Sequence, residues 1–600
     1  MLLVFRALPF IPILFCIIST VDRKKVLIIC AAAALAAHFV MGLAFIRAAA
    51  PTYDETVHLA SGYSYLATGK YAMNIMDHPP LAEMTDALPL LAYKPNAFLS
   101  HPYYAQRMLY HYGDLFLYQN AAPAGKLLNT ARVFSLFLWS GLLAFFIWLF
   151  AFKAAGPEAG ALSVGVFALM PVFISNNALI TTDAAPAVLY FGTFCLGYIF
   201  FTLPPITLAG RGHKTVQAPD KRRQYVYAVL AGAVAGLAMV SKFSMFIIPP
   251  LIIAFWIGHN LLEPKMPMRR LLWYSAVYLT AVVLTVVMVY KFDIGLYLAG
   301  LGETLKRLDQ GRSSFVWGRH SINGVLWYFP LALGIKTPLA VLALALAGLA
   351  AVKKSFRKDH LWLLLPPLIY FAVSMGAKVQ IGFRHILPVM PFLAVLAGLG
   401  AVYAGRKKVL LIILAPLLVL WGWGLVRTGP YYLAYFNELA GGPANGYKFL
   451  VDSNLDWGQD IKTLSAWLNK RGNPPVVLSY FGVARPEYYG VKYLPLGIYS
   501  NVELSGTGED VCRMDRLLLA VSATNLQSTY YPDKHTFDWL KSRKPEFTAG
   551  YSIFLYDLTA DKEGAVKLAE LFDRYGMNRE ADCLYERQAA QAQSGKGTKL

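Results

Sequence analysis

Tyr53-Asp54-Glu55 opens the first long polar stretch of the chain, directly after an apolar run. Adjacent carboxylates at such an exit are not needed for packing. They suit proton abstraction from a hydroxyl, or a helix start where acids meet the positive end of the dipole. Further on, Asn74-Ile75-Met76-Asp77-His78-Pro79-Pro80 sets His78 against a double proline, which fits rigid presentation to a substrate and equally a helix start. Asp183, in Thr181-Thr182-Asp183-Ala184-Ala185-Pro186, reads as an N-cap or as another acid of the same site. Three cations stand at the edges of apolar runs: Lys242, Lys336, and Arg384 followed by His385. An ionisable group at membrane depth is costly and marks a candidate site; the alternative is a side chain snorkelling to lipid phosphates. A carboxylate to take a proton and fixed cations to meet a departing phosphate are the parts of a transfer reaction on an anionic, lipid-linked substrate.

The elements that position these residues are membrane helices. Of 600 residues, 57% are hydrophobic and 15% charged, against about 45–50% and about 25% in soluble domains. That balance excludes a disordered chain, a disulfide scaffold and an ordinary soluble enzyme. Runs at 26–47, 127–152, 159–178, 184–203, 225–241, 244–260, 271–290, 326–351, 361–376, 385–402 and 409–426 predict about eleven spans of about 20 residues. Residues 1–20 read as a retained further span or interfacial helix. The expected fold class is a polytopic α-helical membrane protein of about 11–12 helices carrying a soluble α/β domain.

Alternate loops are basic: Arg23 to Lys25, Lys153, Arg211 to Arg223, Lys265 to Arg270, Lys353 to Lys358, and Arg406 to Lys408. This positive-inside pattern accounts for the net charge of +20 without nucleic acid. It places the intervening loops, with outer loops 48–126 and 291–325, on the other side of the membrane. A domain is expected at 427–588 from strand-like runs near 476–481, 517–522 and 551–556 and helical stretches 459–469 and 564–574. A disordered tail is expected over 589–600. Cys512 and Cys583 are the cysteines of this outer region and can form a bridge there. The run Asp452 to Asp460 is not an EF-hand, since Trp457 stands where glycine is needed and Thr463 where glutamate is. It predicts a capped helix start, with Asp456 or Ser453 as cap.

Taken in order, Tyr53-Asp54-Glu55, His78-Pro79-Pro80-Leu81, Thr182-Asp183, Ser241-Lys242-Phe243 and Phe383-Arg384-His385-Ile386-Leu387-Pro388 resemble the GT-C glycosyltransferase superfamily. The branch is the one holding protein O-mannosyltransferases and bacterial aminoarabinose transferases, and the resemblance covers about residues 26–426. It implies a transmembrane catalytic domain over 1–426 and inverting transfer of a sugar from a polyprenyl-phosphate-linked donor. The acceptor would be a lipid, glycan or protein on the periplasmic face of a bacterial inner membrane. Asp54 matches the family's motif carboxylate and Asp183 its second acidic position; the family's Arg-Tyr is Arg384-His385 here, and the run Asp452 to Asp460 is similar to one in bacterial relatives, which implies a contact with acceptor or active site. The roles that follow are Asp54 as base, with Glu55 and Asp183 as positioning or metal-binding groups. Lys242, Lys336 and Arg384 would clamp the phosphate, and His78 and His385 would contact substrate. Mg²⁺ or Mn²⁺ would suit Asp54 and Asp183. The rival readings are an oligosaccharyltransferase-like enzyme with a pyrophosphate donor, whose Trp-Trp-Asp-type motif is not evident, and a lipid transporter or flippase.

Overall fold

The computed structural model describes residues 23–204, 206–209, 215–218, 220–497 and 504–594. The expected helix at 1–20, Arg211 and Lys214 of the third basic loop, and residues 595–600 lie outside the described residues. Among the described residues, seven helices are long and apolar enough to cross a membrane, and an eighth if one bent pair is a single span. The chain is an integral membrane protein with a C-terminal sheet-containing domain.

All of the apolar runs lie on helices, but four differ from a continuous apolar span for local reasons. The run 159–178 is two short helices, Pro157–Ala168 and Pro171–Asn176. The Ala168 carbonyl freed at their junction is met by His38 Nδ1 at 2.9 Å, while His38 Nε2 meets Ser140 Oγ at 2.8 Å. The run 326–351 bends by 107° between Tyr328–Lys336 and Leu339–Lys354. Pro338 lacks an N–H and forces Thr337 to extended backbone (ψ 134°), which ends the first helix. Leu361–Met375 is shortened and carries Pro366 and Pro367 inside it. Lys221–Met239 opens on Lys-Arg-Arg.

Three of the basic loops meet at one end of the bundle. Arg357 Nη2 donates to the Ala154 carbonyl at 3.2 Å, and Lys358 Nζ to the Leu262 carbonyl. At the other end the loop after Arg23–Ala48 docks on the C-terminal domain, with Ala50 N to Gln459 O at 2.7 Å and Tyr53 N to Trp457 O at 2.9 Å. Arg485 Nε adds a bond of 2.8 Å to Asp114 Oδ1. One apolar core runs through both parts, joining Phe45 and Tyr53 to Trp457, Val477 and Phe481.

The domain is a five-stranded sheet in the order Tyr493–Pro495, Val476–Ser479, Leu518–Ser522, Ile553–Asp557, Phe547–Ala549. Its first three strands are parallel and the last two pair antiparallel. Val476–Ser479 and Leu518–Ser522 are buried along their whole length, as continuous apolar runs in covered strands should be. Residues 589–594, expected as tail, belong to the helix Asn578–Ser594. Cys512 and Cys583 are bonded, with Cα atoms 5.6 Å apart, and tie that helix to the turn Val511–Arg513.

Candidate active site

Asp54 and Asp183 stand at the N-cap positions of Glu55–Thr68 and Ala184–Thr202, yet neither side chain caps its helix. Both reach Arg384 instead. Arg384 Nη1 donates to Asp54 Oδ2 at 3.1 Å and to Asp183 Oδ2 at 3.2 Å. Lys242 Nζ donates to Asp183 Oδ1 at 2.6 Å. Burial alone would push the Asp183 carboxyl up, but Lys242 and Arg384 outweigh it and hold it well below the usual range. Asp183 is therefore a fixed anion. Asp54 differs: its side chain is 25% exposed, and among the described residues its Oδ1 has no hydrogen-bond partner.

The C-terminal domain helps to aim Arg384. Phe383 N donates to Asn454 Oδ1 at 2.8 Å, and Arg384 Nε to Ser453 Oγ at 3.0 Å. A Cβ on Gly382 would lie 2.1 Å from Ser453 Oγ, so only glycine permits this approach. The guanidinium also lies over the Trp457 ring, 4.2 Å from its centroid. Asp452, in the left-handed region at φ 57°, accepts from Ser453 N at 2.6 Å and from the Tyr530 hydroxyl. Arg312, exposed in the second outer loop, stands over the Tyr530 ring at 5.3 Å and feels the charges of Asp452 and Asp54.

His78 Nδ1 lies 3.0 Å from Thr182 Oγ1, fixing the double-proline loop to the hop that carries Asp183. Its ring stands edge-on to His58 at 5.0 Å, and His58 is paired with buried Glu83 at 2.7 Å. His385 is half-buried and feels the charges of Asp183 and Lys242, and among the described residues its buried Nε2 has no hydrogen-bond partner.

Two expected site residues do other work. Glu55 is fully buried and its carboxylate accepts five hydrogen bonds. They come from Arg132 Nε (2.8 Å) and Nη2, Thr52 N (2.8 Å) and Oγ1 (2.9 Å), and Ile180 N (3.0 Å). With its oxygens so engaged it joins the first outer loop to two helix ends and is not free to bind acceptor or metal. Lys336, expected in the phosphate clamp, is buried and donates to the carbonyls of Leu433 (2.8 Å) and Asn454 (2.6 Å). It also lines a small cavity together with Arg384 and Ser453.

The donor set does not fit a metal at Asp54 and Asp183 as arranged. One guanidinium nitrogen already holds an oxygen of each, and Lys242 holds the remaining oxygen of Asp183. Among the described residues, the group of metal-ligating side chains whose ligand atoms lie within 4.8 Å of one another is His259, Glu263 and Asp359, at the end of the bundle carrying the basic loops.

Sequence reasoning missed Arg132 and Arg312 as members of this region, whereas Ser453 and Trp457 belong to the run Asp452 to Asp460, for which a contact with the site is one of two readings. Arg132 left a signal, being an ionisable residue inside an apolar run. Arg312 left none, because its neighbours in space are far away in sequence.

No protein-family model and no curated protein sequence matches the chain. Among solved structures it is similar to ArnT from Cupriavidus metallidurans bound to undecaprenyl phosphate, at 11% identity and a TM-score of 0.46 over 88% of this chain and 98% of that one. The apo state of the same protein gives 13% identity and 0.46, over 87% and 97%. The apo oligosaccharyltransferase of Archaeoglobus fulgidus gives 11% and 0.44 over 80% of this chain and 62% of that one. At these values the similarity says nothing of this chain's chemistry, which follows from its own residues.

Proposed function

We propose that the chain is an inverting glycosyltransferase of GT-C type. It moves a sugar from a polyprenyl-phosphate-linked donor to an acceptor hydroxyl on the face of the membrane opposite the basic loops. The observation that carries this reading is Arg384. One guanidinium holds a buried Asp183, which also pairs with Lys242, and a partly exposed Asp54 whose second oxygen has no partner among the described residues, at the outer ends of membrane helices. Asp54 takes the proton of the acceptor hydroxyl. The acceptor oxygen then bonds to the anomeric carbon as the bond to the phosphate oxygen breaks, and polyprenyl phosphate leaves with the electron pair. Arg384 and Lys242 meet the charge that grows on that phosphate, where exclusion of water makes fixed cations most effective, and Arg312 adds its charge from the exposed loop. Asp183 holds Lys242 and Arg384 at the spacing the phosphate requires, and His78 and His385 border the same space.

The donor class, the orientation and the division at about residue 426 belong to this proposal. The basic loops are cytoplasmic, and the site and the domain beyond it are periplasmic in a bacterial inner membrane. The acceptor is a lipid, glycan or protein. The test is purified protein in liposomes given polyprenyl-phosphate and polyprenyl-pyrophosphate sugars in parallel arms. Release of polyprenyl monophosphate with appearance of an inverted glycoside supports the reading. Turnover of pyrophosphate donors alone, or movement of lipid between leaflets without glycoside formation, rejects it.

A further inference from the structure

At the end of the bundle opposite the candidate active site, we propose a binding groove for the headgroup of an anionic membrane phospholipid. It lies between Lys221–Met239 and Met268–Val289, and it does not depend on the transferase reading. The two helices touch backbone to backbone in their middles. A Cβ on Gly232 would lie 2.4 Å from the Tyr278 carbonyl, and one on Gly236 would lie 2.6 Å from the Thr285 Cβ. At their N-terminal ends the facing residues are large instead, Tyr225 against Trp273 and Tyr274, and the helices stand apart around an open groove.

The groove has three levels. Lys221, Arg269 and Arg270 stand at its rim, and among the described residues none of them has an acidic partner. The nearby acid, Asp220, is already engaged: it accepts from Arg223 N at 3.0 Å and pairs with Arg223 Nε at 3.2 Å. Below the cations, Trp273 Nε1 donates to the Tyr225 hydroxyl at 2.5 Å, and the Tyr225 ring stands edge-on to Tyr274 at 5.0 Å. Trp and Tyr are the side chains that settle at headgroup depth, apolar on one side and wet on the other. Trp273 is 57% exposed, and beneath it the outward faces of the helices carry Val226, Val229, Leu279 and Val283. Unpaired cations over an aromatic collar over an apolar rail match one ligand chemistry. That ligand is a phosphate-bearing headgroup with acyl chains running along the helix pair. A free phosphate ion would use the rim alone.

The probe is phosphatidylglycerol, offered with an equal amount of phosphatidylcholine to the full chain in nanodiscs, with retained lipid read by native mass spectrometry. Each cation near the surface is worth about 1 kcal/mol, or about fivefold in retention. Arg269→Gln with Arg270→Gln should therefore cut the preference for phosphatidylglycerol about 25-fold. Lys353→Gln with Lys354→Gln, the same charge change on another basic loop, should leave it intact. Lys221→Gln alone, a surface change that any folded protein tolerates, should cut it about fivefold. Equal preference in wild type and groove variants overturns the proposal, as does equal loss from the Lys353/Lys354 control. Displacement of the lipid by millimolar inorganic phosphate would assign the rim to a soluble phosphate and overturn it too.

Discussion

Replacing Glu55 by glutamine separates a structural acid from a catalytic one. Glu55 and Arg132 are both fully buried, and the guanidinium donates through Nε and Nη2 to the two carboxylate oxygens. Glutamine keeps the shape but offers one acceptor oxygen, and its amide then points at donors that already need an acceptor. Removing one partner of a buried ion pair costs about 3–5 kcal/mol, because the other charge stays buried without compensation. Orphaned backbone donors at Thr52 and Ile180 fall within the same loss, since the contributions are not additive. The expected result is a clear drop in the melting temperature of Glu55→Gln in detergent, with turnover per folded molecule reduced far less. Arg132→Met on top of Glu55→Leu should recover part of the loss, because the stranded charge goes with its partner. A Glu55→Gln protein that melts normally and has lost turnover would refute this reasoning and return Glu55 to the catalytic group.

Arg384→Lys keeps a charge but cannot hold Asp54, Asp183 and Ser453 together, so turnover should fall by about 10–100-fold at matched amounts of folded protein; unchanged turnover would remove Arg384 from the site. Burial pushes the Asp456 carboxyl up to about 7. The folded state then holds that proton more tightly than the unfolded one, so stability falls as pH rises from about 4 through about 7, by up to roughly 4 kcal/mol. Asp456→Asn should thus raise the melting temperature at pH 8 more than at pH 5, and an equal gain at both would reject the assignment. Single cysteines at Lys354 and Lys544 should label from opposite sides of sealed vesicles; labelling of both from one side would reject the orientation.

Much of the layout was legible because a span announces itself by length and composition, and the runs at 127–152, 271–290 and 409–426 coincide with single helices. The run at 326–351 concealed a 107° bend, since Pro338 reads as a tolerable interruption until the backbone on either side is seen. Asp54, Asp183, Lys242 and Arg384 lie together, joined through the two cations. Glu55 and Lys336 show the limit of that reasoning. Their partners, Arg132 and the carbonyls of Leu433 and Asn454, are remote in sequence, and burial turned both charges to structural use. The run Asp452 to Asp460 carries two expectations, a helix cap at Asp456 or Ser453 and a contact with acceptor or active site. The helix Ile461–Asn469 begins after Asp460, while Ser453 serves Arg384 and Asp456 accepts from Thr524 N at 2.7 Å. Only the tertiary structure brings those partners near.

The central claim is that Asp54 takes the acceptor's proton, and it is tested by donor binding and sugar transfer measured on the same preparation of Asp54→Asn. Asparagine keeps the size and still accepts from Arg384 but cannot take a proton, and a positioned base contributes about 10²–10⁴-fold to rate. The account predicts transfer reduced by at least about 100-fold with binding of the polyprenyl-phosphate donor retained. Near-normal transfer by Asp54→Asn, or a loss confined to donor binding, would contradict it.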